Sequence, residues 1–280
     1  MKQLTALIEH SGLSITGPVR EDNQDTILLP NKTSPGSPKT LYAVADGMGG
    51  YAHGGMASAL ALEILAATLS QAPHLAPEKA LRRGVESANL NIYKKSQSLG
   101  TGRMGTTVTA AYIVEDRLHL AHVGDSRAYL VRNRQASCLT NDHTVVGDMA
   151  RARLISADKV RSHAQRSILT RAVGIGLFVQ PDLTQIRLQK DDRIILCSDG
   201  VWSTLLDEDF GRAASNAWRA ELLARHLVDL AIKRESDDNC SVVVLHLRGF
   251  EEQALPISPD ERSNEQGIAS ILKKMRGRVV

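Results

Sequence analysis

The sequence predicts an α+β fold in which two antiparallel sheets are flanked by helices. Apolar, strand-like runs follow one another through very short connections, which join antiparallel strands and cannot contain the helical crossover of a parallel sheet. Strands and helical patterns do not alternate along the chain, which argues against a doubly wound parallel sheet. The chain has 280 residues and is 42% hydrophobic, so it can form a substantial core.

In the first half of the chain, three strands precede two helices. The predicted elements are strands over residues 11–17, 25–29 and Leu41–Ala45, followed by helices over Met56–Leu69 and Ala80–Lys95. The strands are short apolar runs bounded by polar turns, and residues 30–39 form a surface loop by composition. The first helix is rich in alanine and leucine, and the second follows Pro77 and carries apolar residues at helical spacing on one face.

In the second half, three strands follow one another before the helical patterns return. The predicted elements are strands over Thr106–Val114, Arg117–Val123 and Arg127–Val131, a polar helix-like stretch over Asn141–Arg171, strands over Leu183–Leu188 and Arg193–Cys197, helices over Asp207–Ala214 and Ala217–Lys233, and a strand over Cys240–Leu247. Because the connections within the first group of three are so short, those strands are predicted to be antiparallel neighbours.

Residues 250–280 differ from the rest of the chain. They are acidic and polar at first and basic at the end, and Ile268–Met275 is a candidate short amphipathic helix. We therefore predict a domain over residues 1–249, which folds without the C-terminal extension over 250–280.

Composition excludes several classes of protein. A net charge of +3 is a mild excess that does not by itself indicate a nucleic-acid partner, and 4% aromatic residues are too few for base-stacking platforms. No apolar run reaches the roughly 18 residues of a membrane-spanning helix, and Met1–His10 lacks the apolar stretch of a signal peptide. We expect a monomer with neither a membrane span nor a nucleic-acid partner.

The three cysteines are Cys138, Cys197 and Cys240. They are far apart, odd in number and match no zinc-binding spacing. Small buried core residues are the ordinary interpretation of such cysteines. A reducing, cytoplasmic location is the expectation that follows.

Five aspartates, each set among glycine, asparagine or serine, are the candidate functional residues. They are Asp25, Asp46, Asp125, Asp199 and Asp238. Four of the five sit at an end of a strand-like run, where side chains from different strands can converge. Converging carboxylates repel one another unless protons or cations neutralise them. Since carboxylates and carbonyls are hard oxygen ligands, the expected cations are Mg²⁺ or Mn²⁺.

The residues beside these aspartates suit chemistry on phosphate. Gly47 follows Asp46 and lets its own carbonyl approach a metal closely. A site of this kind holds two metal ions about 3.5–4 Å apart with a water between them, which attacks phosphorus in line. Arg20 is the candidate phosphate-binding residue, because a guanidinium group grips phosphate bidentately. Each feature alone is most often a turn or a surface side chain, and their joint occurrence carries the interpretation.

Together these motifs resemble the bacterial metal-dependent, type 2C protein serine/threonine phosphatases. The matching segments are Arg20-x-x-Asn23-Gln24-Asp25, Asp46-Gly47-Met48-Gly49-Gly50, Gly105-Thr106-Thr107, Gly124-Asp125-Ser126-Arg127, Asp142-His143, Thr170-Arg171-Ala172-Val173-Gly174, Ser198-Asp199-Gly200 and Asp238-Asn239. The resemblance covers about residues 11–247. It implies a four-layer α-β-β-α sandwich with the metals in the channel between the sheets, at one edge.

The resemblance also implies a role for each primary-site residue. Asp46 would bridge two metals, and Gly47 would bind the second through its carbonyl. Asp199 and Asp238 would complete the first metal site. Asp25 would act through metal-bound water.

Three further features follow from the same resemblance. Asp125, with Asp199, matches the pair that holds a third, weaker metal. Arg20 matches the phosphate-binding arginine. Residues 141–170 match the flap beside the active site that bears on substrate choice.

Two departures from the family pattern leave the general acid unassigned. Met48 stands where eukaryotic members often have a histidine, and it cannot donate a proton. Tyr51 stands where bacterial members commonly have a histidine. A metal-bound water is the preferred proton donor, and His53 is the second candidate.

The activity implied is metal-dependent hydrolysis of phosphoserine and phosphothreonine in phosphoprotein substrates, opposed to a cognate serine/threonine kinase. Two alternatives stay open at this point. One is a phosphatase dedicated to a single small regulatory protein. The other is a catalytically inactive relative that binds phosphoproteins, although none of the matched aspartates is lost.

Overall fold

In the computed structural model, the residues described are 2–30, 39–49, 53–100, 104–156, 159–216 and 219–254. The strands are β1 (Lys2–Ile15), β2 (Asp25–Leu28), β3 (Leu41–Met48), β4 (Gly105–Thr106), β5 (Val108–Val114), β6 (Arg117–Val123), β7 (Arg127–Arg132), β8 (Gln135–Cys138), β9 (Asp182–Arg187), β10 (Arg193–Cys197) and β11 (Cys240–Ala254). The helices are α1 (His53–Gln71), α2 (Pro77–Leu99), α3 (Val145–Arg151), α4 (Asp199–Trp202), α5 (Asp207–Ser215) and α6 (Ala220–Lys233).

The strands form two sheets. The first sheet has the order β1-β11-β10-β7-β8, and the second has the order β2-β3-β5-β6-β9 with β4 paired to β3. Neighbouring strands of both sheets run antiparallel. The predicted α+β fold is confirmed.

Strand alternation divides the apolar residues among three layers of core. Along β10, Ile195 and Cys197 pack toward α5 and α6, whereas Ile194 and Leu196 pack against the second sheet. Strand β3 alternates in the same way between α1 and α2 on one side and the first sheet on the other. Because both sheets bury both faces, the molecule has the predicted four layers, α-β-β-α.

The predicted antiparallel trio of strands is corrected by the structure. Strands β5 and β6 do pair, but β7 pairs with β10 and β8 in the other sheet. The connection Gly124-Asp125-Ser126 therefore carries the chain from one sheet to the other. The short length of this connection excluded a helical crossover, as expected, but it did not require a hairpin. Asp125 consequently lies where the two sheets meet.

The region over 141–171 is the second correction. It was expected to be helix-like, but of its described residues only α3 is an α-helix, and most of the others lie in turns, bends and irregular segments. Helix α3 begins at Thr144, whose hydroxyl accepts a hydrogen bond from the Gly147 amide at 2.9 Å. Strand β8 and the short helix α4 were not predicted.

Two neighbouring strands at one edge of the first sheet, β1 and β11, are longer than predicted. Strand β1 begins at Lys2 rather than at residue 11, and β11 runs past Leu247 to Ala254. The two strands pair over this whole length, with Lys2 opposite Ala254 and Ala6 opposite Phe250. The domain division after residue 249 stays a prediction, and the candidate helix over Ile268–Met275 lies outside the described residues.

The pairing of β1 with β11 predicts a sharp difference between two shortened chains. A chain ending at Ala254 keeps every β1–β11 pair, and we expect it to unfold like the full chain. A chain ending at Gly249 loses the partners of Lys2–Ala6 and the packing of Phe250 against the core between the sheets. We expect its free energy of unfolding to be lower by about 2 kcal/mol, measured by denaturant titration. Equal stability of the two chains would contradict this.

Candidate metal centre

One cavity, of about 730 Å³, lies where strand ends from both sheets meet. The predicted site residues that line it are Arg20, Asp46, Gly47, Asp125, Asp199 and Asp238. They come from five separate regions of the chain. The structure thus brings together six of the seven predicted site residues around one space.

The seventh predicted residue, Asp25, lies behind the cavity rather than on its wall. It is the cross-strand partner of Asp46 in the β2–β3 pair and is buried. The Ser198 hydroxyl donates a hydrogen bond to Asp25 Oδ2 at 2.7 Å. The other oxygen, Oδ1, is buried and has no hydrogen-bond partner in the described part of the chain.

Two threonines fix the backbone of Asp46. The Asp46 amide donates to Thr107 Oγ1 at 2.9 Å, and the Asp46 carbonyl accepts from Thr106 Oγ1 and from the Thr107 amide, both at 2.8 Å. These bonds satisfy the backbone at the end of β3 and leave the Asp46 carboxylate free to face the cavity.

Gly47 stands where no side chain fits. A Cβ atom there would lie 2.0 Å from the Gly54 carbonyl oxygen and 2.7 Å from the Gln24 carbonyl oxygen. The Gly47 amide donates to the same Gln24 carbonyl at 3.1 Å. Glycine is therefore required for packing at this position, whatever its carbonyl binds.

Asp238 and Arg20 form the exposed rim of the site. Arg20 Nη2 lies 2.6 Å from Asp238 Oδ2, and 53% of the Arg20 side chain is exposed. Asn239 ties this turn to the N-terminal segment: its side chain accepts from the Gln24 amide and donates to the Asp22 carbonyl, both at 3.0 Å. The Asn239 side chain thus joins two segments that are distant in sequence.

The turn that carries Asp125 requires glycine before it. Gly124 has φ of +108°, and a Cβ there would lie 2.5 Å from Thr107 Cγ2. The Trp202 indole N–H donates to the Asp125 carbonyl at 2.8 Å. Both contacts fix the backbone of Asp125 at the junction between the sheets.

A buried ion pair between Arg127 and Asp142 packs against Trp202. Arg127 binds both oxygens of Asp142, through Nε at 2.9 Å and Nη2 at 2.6 Å. The same guanidinium lies 3.5 Å from the centroid of the Trp202 ring. Arg127, Asp142 and Trp202 thus form one packed unit that positions Asp125.

Burial and mutual repulsion favour the protonated forms of the clustered carboxyls. Burial, followed by the charges of Asp199 and Asp238, raises the pKa of Asp25 to about 7, although hydrogen bonds from serines oppose this. Burial and Asp238 raise the pKa of Asp199 to about 6. The pKa values of Asp46 and Asp125 are also raised well above their usual range, chiefly by burial.

The residues present fit a divalent metal centre of the oxygen-ligand type. Arg20 pairs with Asp238, but the Oδ1 atoms of Asp25 and Asp199 are buried without a hydrogen-bond partner among the described residues. All the donors are hard oxygen atoms, the ligands of Mg²⁺ and Mn²⁺. Within the described part of the chain, however, no three acidic, histidine or cysteine side chains already form a closed ligand set. Metal binding would draw the carboxylates together, because a cation offsets their mutual repulsion.

The residues considered above for proton donation, and those that replace a histidine, differ in whether they line the cavity. Met48 lines the cavity, whereas His53 opens α1 and is not among the described residues of the cavity wall. Tyr51 lies outside the described residues. The residue that protonates a leaving group therefore stays unassigned.

The opposite wall of the cavity comes from the predicted flap and the segment after it. The lining residues there are Ser167, Leu169, Thr170, Arg171, Ala172 and Ile175. The Arg171 side chain is held in place by Asp182, whose Oδ1 lies 2.6 Å from Arg171 Nη1. This wall is mixed in character, with an arginine beside apolar side chains.

Several residues that build the site had no role assigned from sequence. Thr106, Thr107, Ser198, Arg127 and Asp142 all lie in the matched motifs, so their positions carried a signal but their contacts did not. Trp202 lies in no motif, and nothing in the sequence linked it to Asp125.

Fold and site together define a two-sheet sandwich with an acidic cavity at the shared edge of its sheets. Residues 10–240 match the family model of protein phosphatase 2C. The chain belongs to the protein phosphatase 2C family. The resemblance read from the motifs is confirmed.

Individual relatives agree with this assignment. The serine/threonine protein phosphatase PstP of Mycobacterium tuberculosis is 32% identical over 99% of this chain, which spans only 52% of that relative. The serine/threonine phosphatase stp of Listeria monocytogenes is 29% identical over 82% of this chain and 92% of its own length. A solved catalytic domain of PstP, in complex with two manganese ions, is 30% identical with a TM-score of 0.77 and covers 88% of this chain and 100% of its own.

The raised pKa values predict an unusual pH dependence for the metal-free protein. The folded-state pKa values of about 7 for Asp25 and about 6 for Asp199 exceed the usual unfolded value of about 3.8. At these two carboxyls the folded state therefore binds more protons, so they lower the free energy of unfolding as pH rises from about 4 to about 7. Histidines act in the opposite direction, because burial lowers the pKa of His122 to about 4 and also lowers those of His10, His143 and His246. Denaturant titrations after metal removal would measure this.

Two comparisons separate the effect of the carboxylate cluster on stability from the effect of the rest of the chain. The Asp25→Asn variant should become more stable relative to the unmodified chain as pH rises over the same range. The histidines, and the carboxyls with lowered pKa values such as Glu9 and Asp209, are common to both proteins and cancel in this difference. Added Mn²⁺ should stabilise the protein more at pH 7 than at pH 5. A stability of Asp25→Asn relative to the unmodified chain that does not rise between pH 5 and 7 without metal would contradict the assignment.

Proposed function

We propose that this chain is a metal-dependent phosphatase that hydrolyses phosphoserine and phosphothreonine in proteins. The observation that carries the proposal is the gathering of Asp46, Gly47, Asp199 and Asp238 around one cavity, in a chain of the protein phosphatase 2C family. Named relatives are serine/threonine phosphatases, which supports the same reaction here.

Asp46, Gly47, Asp199 and Asp238 would hold two Mn²⁺ or Mg²⁺ ions, and Asp125 with Asp199 a third, weaker one. The two manganese ions in the related PstP structure support the two principal ions of this proposal. Such ions supply positive charge for phosphate oxygens and lower the pKa of a water that attacks phosphorus. Asp25, behind Asp46, would add negative charge to the centre without occupying the cavity wall.

Arg20 is suited to bind the phosphate group. It lines the cavity from the rim, and its partner Asp238 holds the guanidinium beside the metal ligands. Because the side chain is half exposed, it can bind a phosphate that enters from solvent. Its contact would be made before and during the reaction alike, so it would contribute mainly to substrate binding.

An exposed apolar ledge beside the cavity supports the proposal that the substrate is a protein. We define the ledge as Ile175, Leu177 and Phe178, whose exposed fractions are 47%, 51% and 88%. Ile175 also lines the metal cavity, so the ledge continues the cavity wall. A small phosphoester would not reach beyond the cavity, whereas a peptide would place flanking side chains on this surface.

One buried amide makes the ledge rigid. The Asn89 side chain, only 1% exposed, accepts from the Gly174 amide at 2.7 Å and donates to the Gly176 and Leu177 carbonyls at 3.0 and 3.2 Å. A pre-ordered apolar surface loses little entropy on binding. We infer that the ledge contacts an apolar residue next to the phosphorylated one.

The expected substrates, opposing kinase and cellular location follow from the same proposal. The substrates would be phosphoproteins of the cytoplasm, phosphorylated by a cognate serine/threonine kinase, and the enzyme would act as a monomer. None of the helices in the described part of the chain has the length and hydropathy needed to cross a bilayer.

Metal removal and two substitutions test the proposed reaction. Hydrolysis of a phosphothreonine peptide should require Mn²⁺ or Mg²⁺ and stop in excess chelator. Asp199→Asn should nearly abolish turnover even with metal, because it removes a charge that holds the ions. Arg20→Ala should raise KM by about 10- to 100-fold with a smaller change in kcat, the loss expected for a charged hydrogen bond.

Steady-state kinetics with phosphate release would measure these effects. Full activity in chelator would contradict the metal centre. An unchanged KM for Arg20→Ala would show that Arg20 is only a surface residue paired with Asp238.

The ledge predicts a second, separable effect. The double variant Leu177→Ser/Phe178→Ser should lower kcat/KM about tenfold for a phosphopeptide with an apolar flanking residue, since about 1.4 kcal/mol of apolar burial would be lost. Its hydrolysis of p-nitrophenyl phosphate should not change. Leu222→Ser is the matched control, because Leu222 on α6 is 51% exposed and does not line the cavity. Equal losses on both substrates would rule out a role in peptide recognition.

A further inference from the structure

A second, basic cavity lies at the end of β10 that is remote from the metal centre. Strand β10 starts at Arg193 and ends at Cys197, two residues before Asp199. The cavity is about 390 Å³, and its charged or titratable lining residues are Arg134, Asp191, Arg193, His246 and Arg248. None of them belongs to the candidate metal centre.

Arg193 occupies a position that the strand pattern reserves for an apolar side chain. It pairs directly with His246 on β11 and Val131 on β7, and it shares its face of the sheet with Ile195, which packs toward the helices. Arg193 is only 7% exposed. Its Nη1 atom is buried and has no hydrogen-bond partner in the described part of the chain.

The carboxylates that act on Arg193 do not neutralise it. They are Glu9 and Asp191. Glu9 already binds the Arg248 guanidinium and the Ala220 amide. The Asp191 side chain is 70% exposed to solvent. A buried guanidinium without a counter-ion is strongly unfavourable, so this arrangement calls for an anion.

His246 adds a second buried nitrogen without a hydrogen-bond partner, while its Nε2 atom lies 3.8 Å from Asp191 Oδ1. It is 5% exposed, and its Nδ1 atom has no hydrogen-bond partner among the described residues. Burial, followed by the charges of Arg193 and Arg248, lowers the pKa of His246. The same direction holds for Arg193, whose pKa is lowered by burial and by Arg248. Burial is the main cause of both shifts, and neighbouring positive charge adds to each.

We propose that this cavity binds a compact tetrahedral oxyanion, either inorganic phosphate or the phosphate group of a phosphomonoester, with Arg193 as its buried anchor. Guanidinium groups bind phosphate oxygens in pairs, and Arg134 and Arg248 are placed to complete the contact from the rim. His246 supplies a further nitrogen at the cavity wall. The proposal rests on this cavity alone and does not depend on the proposed phosphatase reaction.

Thermal unfolding with and without phosphate tests the site. The full chain is freed of metal with chelator and then desalted, so that neither metal-bound phosphate nor chelator contributes. Inorganic phosphate should raise Tm saturably for the unmodified chain and for Arg20→Ala, and chloride at equal ionic strength should not. Arg193→Met should lose the phosphate-dependent rise.

The same variant carries a second prediction that a merely structural arginine would not meet. In phosphate-free buffer Arg193→Met should unfold at a Tm about 2–4 °C higher than the unmodified chain, because it removes an unpaired buried charge. A phosphate-dependent rise retained in Arg193→Met, or absent from the unmodified chain, would overturn the proposal. If Arg193→Met does not fold, Arg134→Ala replaces it, since Arg134 is exposed. That variant should need about tenfold more phosphate for the same rise, and an unchanged requirement would overturn the site.

Comparison of inorganic phosphate with O-phosphoserine identifies the source of the anion. Half-saturation at a lower concentration of O-phosphoserine would assign the cavity to a phosphorylated side chain. Half-saturation at a lower concentration of inorganic phosphate would assign it to the free ion. No rise with either ligand would overturn the site.

Discussion

Repulsion among buried carboxylates is the constraint around which this molecule is organised. Asp25 and Asp46 are direct cross-strand partners, and Asp125 and Asp199 add their charges to the same region. Like charges so placed favour protonation or a cation. Without one of these, the repulsion would destabilise the edge shared by the two sheets. The rest of the site is best understood as the means of holding these groups in place against that repulsion.

The restraint comes mainly from hydrogen bonds to backbone atoms. Thr106 and Thr107 hold the backbone of Asp46, and the Trp202 indole holds the carbonyl of Asp125. Asn239 joins the turn of Asp238 to the N-terminal segment. Because these contacts engage the main chain, the carboxylates remain available to a metal. Regular sheet pairing alone could not provide this, since the strands end where the carboxylates begin.

The sequence predicted most of the strands and helices and six of the residues that line the cavity, but not how the elements connect. Strands over Arg117–Val123 and Arg193–Cys197 were predicted with the bounds that the structure shows, because apolar runs between polar turns define them. The passage of the chain between sheets at Gly124–Ser126 was missed, since a short turn permits either a hairpin or a change of sheet. The contacts of Trp202 were missed because local pattern carries no information about a partner 77 residues away.

Strand β10 shows how the fold accommodates charge at two different ends. Its central residues Ile194, Ile195 and Leu196 are buried between apolar layers, where no ionised group is tolerated. Arg193 begins the strand and Asp199 follows it, and each has a buried atom without a partner in the described part of the chain. One end therefore favours a cation and the other an anion. Because the interior of the sandwich excludes charge, ions can bind only near the ends of its strands. The charges of Arg193 and Asp199 are therefore separated by the apolar segment of β10.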